Sequence, residues 1–152
     1  MRTIHTEIGI GAPAESVWEV FVAVDRWPEW NPFARASGRL AAGERLTVEI
    51  RPPGKRPMTF HPTVVTFEPG RELRWLGHLL IPGLFDGEHG FRVRAEEIGR
   101  CRFEQFETFR GWLVPPLFAM AGTATRQGFE AMNSALKARV EAAPPDRFRH
   151  SA

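Results

Sequence analysis

At Pro115-Pro116 the hydrophobic period of the chain lengthens from two residues to nearly four, and this change constrains the fold more than any other feature. Downstream, Phe118, Gly122, Thr125, Phe129, Met132, Leu136 and Val140 form one stripe opposite Arg126, Glu130, Asn133 and Lys137, the pattern of an amphipathic helix. The prolines suit its first turn, where a missing N–H removes no helical bond. The spacing predicts a helix of roughly 25 residues, about 38 Å long. Pro144-Pro145 ends it, and residues 146–152 read as a frayed tail. A helix of that length can span a whole sheet. Its stripe is uneven, with Ala121, Gly122, Thr125 and Gly128 small and Phe129, Met132 and Leu136 large. Either the small residues let the helix approach the sheet closely, or they leave an internal volume unfilled.

Upstream the chain alternates in twos. Ile4, Thr6, Ile8 and Ile10 oppose His5, Glu7 and Gly9, the period of a half-buried strand. Gly11-Ala12-Pro13 ends it, and Val17, Val20, Phe21 and Val24 then recur at helical spacing over residues 13–24, with Trp18 flanking that face. Strands are expected at 34–40, 45–51, 58–68, 72–80, 88–97 and 100–111, separated by Ala42-Gly43, Pro52-Pro53-Gly54, Pro69-Gly70, Pro82-Gly83 and Ile98-Gly99. With the first, that makes seven antiparallel strands in an α+β fold. Between helix and meander lies Trp27-Pro28-Glu29-Trp30-Asn31-Pro32-Phe33. Its prolines kink the chain and its indoles need burial, so it is expected as a rigid aromatic lid whose indoles are buried at the mouth or wall of a cavity or in the core.

A chain of 152 residues, 43% hydrophobic and 25% charged, is one globular domain, here expected over 1–143. No apolar run approaches the roughly 18 residues of a membrane helix, and the first residues carry no secretory apolar segment, so no stable membrane insertion and a cytoplasmic setting are expected. The lone Cys101 excludes an internal disulfide and a thiolate metal cluster. A formal charge of +2 without a dense basic tract argues against nucleic acid. His5, His61, His78, His89 and His150 show none of the short spacings of metal ligands, so no metal is expected. Gly83, Gly87 and Gly90 sit in a strand connection, which excludes a phosphate loop, and no cofactor is expected. Ser16, Ser37 and Ser134 lack the context of a nucleophile. Arg51 to Arg56, flanked by prolines, reads either as a solvated hairpin loop or as a basic gate for an acidic head group. The chain is expected as a monomer or homodimer.

The order of strand, helix, aromatic segment, meander and long helix, with Pro13-Ala14-Glu15-Ser16-Val17-Trp18-Glu19-Val20-Phe21 and Trp30-Asn31-Pro32, resembles the START/Bet v1-like superfamily over residues 3–142. That superfamily, also called SRPBCC, includes polyketide cyclases and dehydratases and lipid-transfer domains. Arg71-Glu72-Leu73-Arg74-Trp75-Leu76-Gly77 and Gly128-Phe129-Glu130-Ala131-Met132-Asn133 are similar to a bacterial subgroup of small single-domain members. The resemblance implies a helix-grip fold, in which a seven-stranded antiparallel sheet, with two short helices after its first strand, wraps the C-terminal helix around an apolar cavity. It also implies a small hydrophobic ligand such as a lipid or polyketide.

Alternation then decides which side chains enter such a cavity. Trp75, His89 with Phe91, and Phe103 with Gln105 and Glu107 fall on the apolar faces of their strands, while His78 falls near the rim. Trp27, Trp30, Phe33, Phe85, Phe118, Gly122, Thr125, Phe129 and Met132 are expected to line or gate it. Three functions remain open. One is a carrier of an apolar molecule. The second is a cyclase- or dehydratase-like enzyme with Glu107 as acid or base, His89 as its partner and Gln105 orienting an oxygen. The third is a protein-interaction module, which predicts an exposed apolar patch and no cavity.

Overall fold

Burial alternates along Arg2–Ile10, and these residues form strand β1 in the computed structural model, which describes residues 1–143. The tail expected at 146–152 and its Pro144-Pro145 stop lie outside the described residues. Helix α1 (Ala14–Val22) follows and buries Val17, Trp18 and Phe21. It stops two residues short of expectation, because Ala23 leaves the helical region at φ −74° and ψ 65°. A 3-10 helix over Val24–Glu29 comes next, followed by β2 (Ala34–Ser37), β3 (Thr47–Ile50), β4 (Met58–Phe60), β5 (Thr63–Glu68), β6 (Glu72–His78), β7 (Asp86–Ala95) and β8 (Cys101–Arg110). Helix α2 (Val114–Glu141) closes the order. The fold is α+β, as expected, but the described residues form eight strands in two antiparallel sheets, ordered β1-β8-β7-β6-β5 and β2-β3-β4.

The extra strand comes from Pro62. Residues 58–68 were expected as one strand, but proline has no N–H for a ladder and the chain breaks at His61-Pro62. The Pro62 carbonyl instead accepts a bond from Leu46 N at 2.8 Å. β4 therefore pairs β3, while β5 joins the large sheet. β2 likewise ends at Ser37, because Gly38 turns at φ 123° with Leu46 packed against it.

Of the places open to the indoles of the aromatic segment, Trp27 takes the core, as a plug and not a lid, while Phe33 reaches the cavity wall. The 3-10 turn drives Trp27 inward to full burial, where its Nε1 donates to the Phe21 carbonyl at 2.7 Å. Its ring packs on those of Phe21, Trp75 and Phe91. A buried indole needs a partner for its N–H, and here the preceding helix supplies one. Asn31 Oδ1 then accepts from the backbone N–H groups of Phe33 and Ala34 and turns the chain into β2. Around Phe21, the rings of Trp18, Trp27, Phe91 and Phe103 form the centre of the core.

On the outer face Phe106 lies over Gly90 of β7, its register partner, between the guanidinium groups of Arg74 and Arg92, each 5.1 Å from the ring centre. Glu72 and Glu104 pair with these arginines and with Arg94. An outward phenylalanine in an otherwise alternating strand is thus covered by cations. Cys101 is buried, and burial pushes its thiol up to about 11.

Candidate functional site

Between the concave face of the large sheet, the small sheet and the first half of α2 lies a cavity of about 450 Å³. The small residues of α2 therefore leave volume unfilled on one side, with Ala121 and Thr125 on the wall. On the other they allow close approach: a Cβ on Gly128 would stand 2.9 Å from Cγ of the Phe33 ring, and nearer still to Cδ2 and Cε2. Both sequence readings hold, at different turns of one helix.

Cross-strand register decides which side chains reach the wall. Trp75 pairs with His89, and His89 pairs with Glu107, so these three form one row across β6, β7 and β8. The next row on that face is Leu73, Phe91, Gln105 and Thr6. The first row opens on the cavity and the second, apart from Phe91, lies beneath its wall. Gly87 makes room for Glu107, since a Cβ there would be 2.7 Å from Oε1.

The His89 ring is sandwiched between Phe91, at 4.2 Å between centres, and Phe129, at 4.6 Å, with Trp75 edge-on. His89 Nε2 lies 3.2 Å from Gln105 Oε1, and Nδ1 lies 3.9 Å from Glu107 Oε2. Burial among aromatic rings pushes the imidazole down to about 3, against a smaller opposing effect of the Gln105 hydrogen bond. Burial also pushes the Glu107 carboxyl up to about 8. Near neutral pH both are uncharged, so the site is an acid and a base held side by side without net charge. Thr125 is less polar than it looks, because its hydroxyl donates to the Ala121 carbonyl at 2.9 Å.

Nine of the expected residues line the cavity: Phe33, Trp75, Phe85, His89, Phe91, Glu107, Thr125, Phe129 and Met132. Six do not. Trp27 and Phe103 are core rings, and Trp30 packs edge-on against Trp27 from the outer side of that plug. Gln105 is fully buried behind His89. Phe118 and Gly122 face a separate shallow cleft beside Ile4 and Arg126, toward the β1 end of the sheet and away from the cavity. The sequence reading missed the wall supplied by the small sheet, Val48 and Ile50 on β3 and Met58 and Phe60 on β4. Those pairs sit two residues apart, so their alternation carried the signal. Lys55 and Arg56 of the expected hairpin loop also reach the cavity, where exposed Met58 and Met120 rim the mouth. His78, expected at the rim, is there, 2.7 Å from Asp86. Its proximity holds the Asp86 carboxyl below its usual range.

Asn133 is the residue most misjudged. Expected on the solvent face of α2, it is buried between Gln105 and Thr6. It stands four residues after Phe129 and so shares that face, a spacing the stripe contains.

No curated protein sequence matches this one. Among solved structures, an aromatase/cyclase from Streptomyces sp. R1128 superimposes with a TM-score of 0.74 at 15% identity, over 92% of this chain and 93% of that one. A START superfamily protein from Mycobacterium smegmatis gives 0.71 at 17% identity, over 91% and 97%. The two-domain aromatase/cyclase BexL gives 0.73 at 18% identity over 93% of this chain, which spans only 47% of that protein. At such identities these likenesses establish a common fold. In sequence, the profile of the polyketide cyclase/dehydrase and lipid transport family matches residues 1–141, nearly the whole described chain, and the protein belongs to that family.

Proposed function

We propose that the protein binds one small, largely apolar molecule in the cavity. The observation that carries this reading is the wall itself: about 450 Å³ enclosed chiefly by aromatic and aliphatic side chains, with the Glu107 and His89 pair as its deep polar feature. Lys55 and Arg56 at the mouth suit a ligand whose outer end is acidic. The family and the fold shared with aromatase/cyclase and START proteins support it further. A lone buried thiol agrees with a cytosolic setting. The test is titration with an anilinonaphthalene dye, alongside native mass spectrometry of the purified protein. Wild type takes up one dye molecule, and Ala121→Trp, which fills the mouth from an exposed position, loses it while keeping its stability. Uptake that is absent in wild type, or unchanged in the variant, refutes the reading.

A second reading, catalysis of cyclase or dehydratase type on a carbonyl substrate, is favoured by one observation, the Glu107 carboxyl facing the cavity 3.9 Å from the His89 imidazole. It predicts that Glu107→Gln lowers turnover by roughly two to four orders of magnitude, where a carrier would show only altered affinity. The interaction module was expected to lack a cavity, and this protein has one.

A further inference from the structure

A buried polar chain runs from β1 to the cavity wall, and the backbone fixes its direction. The carbonyl oxygen of Phe129 can only accept, so the Gln105 group 3.2 Å from it is the amide NH2. The same NH2 lies 2.6 Å from Asn133, which must answer with Oδ1 and turn its own Nδ2 to Thr6 Oγ1, 3.0 Å away. Gln105 therefore presents Oε1 to His89. An oxygen acceptor requires a donor, so the proton of a neutral His89 resides on Nε2 and Nδ1 carries a bare lone pair. Stacking between Phe91 and Phe129 keeps the ring from turning over. That lone pair faces Glu107, but 3.9 Å is too long for a hydrogen bond between them. The Glu107 carboxyl finds no other hydrogen-bond partner among the described residues and borders the cavity.

We propose that Thr6, Asn133 and Gln105 are positioning residues that hold His89 as an acceptor beside the Glu107 donor, so that the cavity selects a ligand whose inner end carries a hydroxyl next to a carbonyl oxygen. The ligand hydroxyl donates to Nδ1 and its carbonyl accepts from the carboxyl. A ketone without the hydroxyl leaves the Nδ1 lone pair buried and unpaired, and a ligand offering two acceptors sets one against it. This rests on the binding reading above and specifies its ligand.

Benzoin and deoxybenzoin differ by that one hydroxyl and serve as probes. Wild type binds benzoin about tenfold more tightly than deoxybenzoin, the effect of one buried hydrogen bond. Gln105→Leu and His89→Phe both lose that preference and bind the two probes about equally, because neither still holds a bare Nδ1 lone pair against the ligand. The second variant keeps the aromatic stack should the first fail to fold. Independently, nitrogen NMR of ligand-free wild type shows His89 protonated at Nε2 and bare at Nδ1 between pH 5 and pH 8, and Gln105→Leu shows a mixture of tautomers. Equal affinity for the two probes, or the opposite tautomer, overturns this inference alone. Failure of both probes in a wild type that takes up the dye also overturns this inference alone, whereas failure of probes and dye together overturns the binding reading and this inference with it.

Discussion

Replacing Glu107 with glutamine should remove one arm of the protein's pH–stability profile. In the folded chain the Glu107 carboxyl holds its proton up to about 8, whereas the unfolded chain releases it at the ordinary 4.5. Between those values the folded state binds more protons, so stability falls as pH rises, by about 1.4 kcal/mol per pH unit, and levels off above 8. His89 acts in the opposite sense: the unfolded chain takes up a proton below 6.5, the folded chain only below about 3, and stability rises with pH between the two. From 4.5 to 6.5 the two slopes cancel. From 6.5 to 8 Glu107 titrates alone, and the loss is about 2 kcal/mol, an upper figure because the carboxyl borders a cavity. Other perturbed groups lie outside this window. The Glu29, Glu72, Asp86 and Glu141 carboxyls, held below their usual range, contribute stability that is lost only in acid, and Cys101 acts above 9. Urea unfolding at pH 6.5 and pH 8 reads the difference directly. Wild type weakens across the interval, Glu107→Gln stays level, and the variant is the more stable at pH 8. An equal loss in both proteins refutes the reasoning, because the alkaline arm would then come from elsewhere.

Two further substitutions test the packing. Gly128→Ala places a methyl well inside the roughly 3.5–4.0 Å at which carbon atoms rest against the Phe33 ring. Overpacking of about 3 kcal/mol outweighs the gain of about 1 kcal/mol in helix propensity, and urea unfolding should show a net loss of about 2 kcal/mol. A stabilised Gly128→Ala would show that Phe33 yields freely. Leu80 is the one non-glycine with positive φ among the described residues, at 68°, and its side chain is exposed. Leu80→Gly should therefore exceed Leu80→Val in stability by about 1 kcal/mol, in thermal or urea unfolding, since a β-branched residue suits that backbone least. The reverse order would contradict the turn.

Much of the fold was legible because period and burial coincide. The stripe from Phe129 to Val140 and the alternations of β1, β7 and β8 follow from one apolar core, so helix, strands and the inward set of His89, Phe91 and Glu107 could be read directly. Trp27 could not be placed. An indole needs burial and one acceptor, and whether the core or a ligand supplies them depends on the Phe21 carbonyl, which becomes available only because α1 stops at Val22. Asn133 was misplaced because polarity was taken for exposure, although a buried amide is tolerated where Gln105 and Thr6 satisfy it. The break at Pro62 was written in the sequence, but which sheet each half would join depends on pairing with distant strands.

The division into two sheets also separates two jobs. Glu107, His89 and the groups that orient them all belong to the large sheet and α2, whereas Val48, Ile50, Met58 and Phe60 form a wall on a three-stranded unit. That unit meets the large sheet through a short seam, the Arg45–Thr63 bridge and the bonds linking Gly43, Glu44 and Leu46 to Pro62 and Val64. On the proposed binding reading, exchanging that wall as a cassette would change the shape a ligand must have while the chemistry it must present is kept.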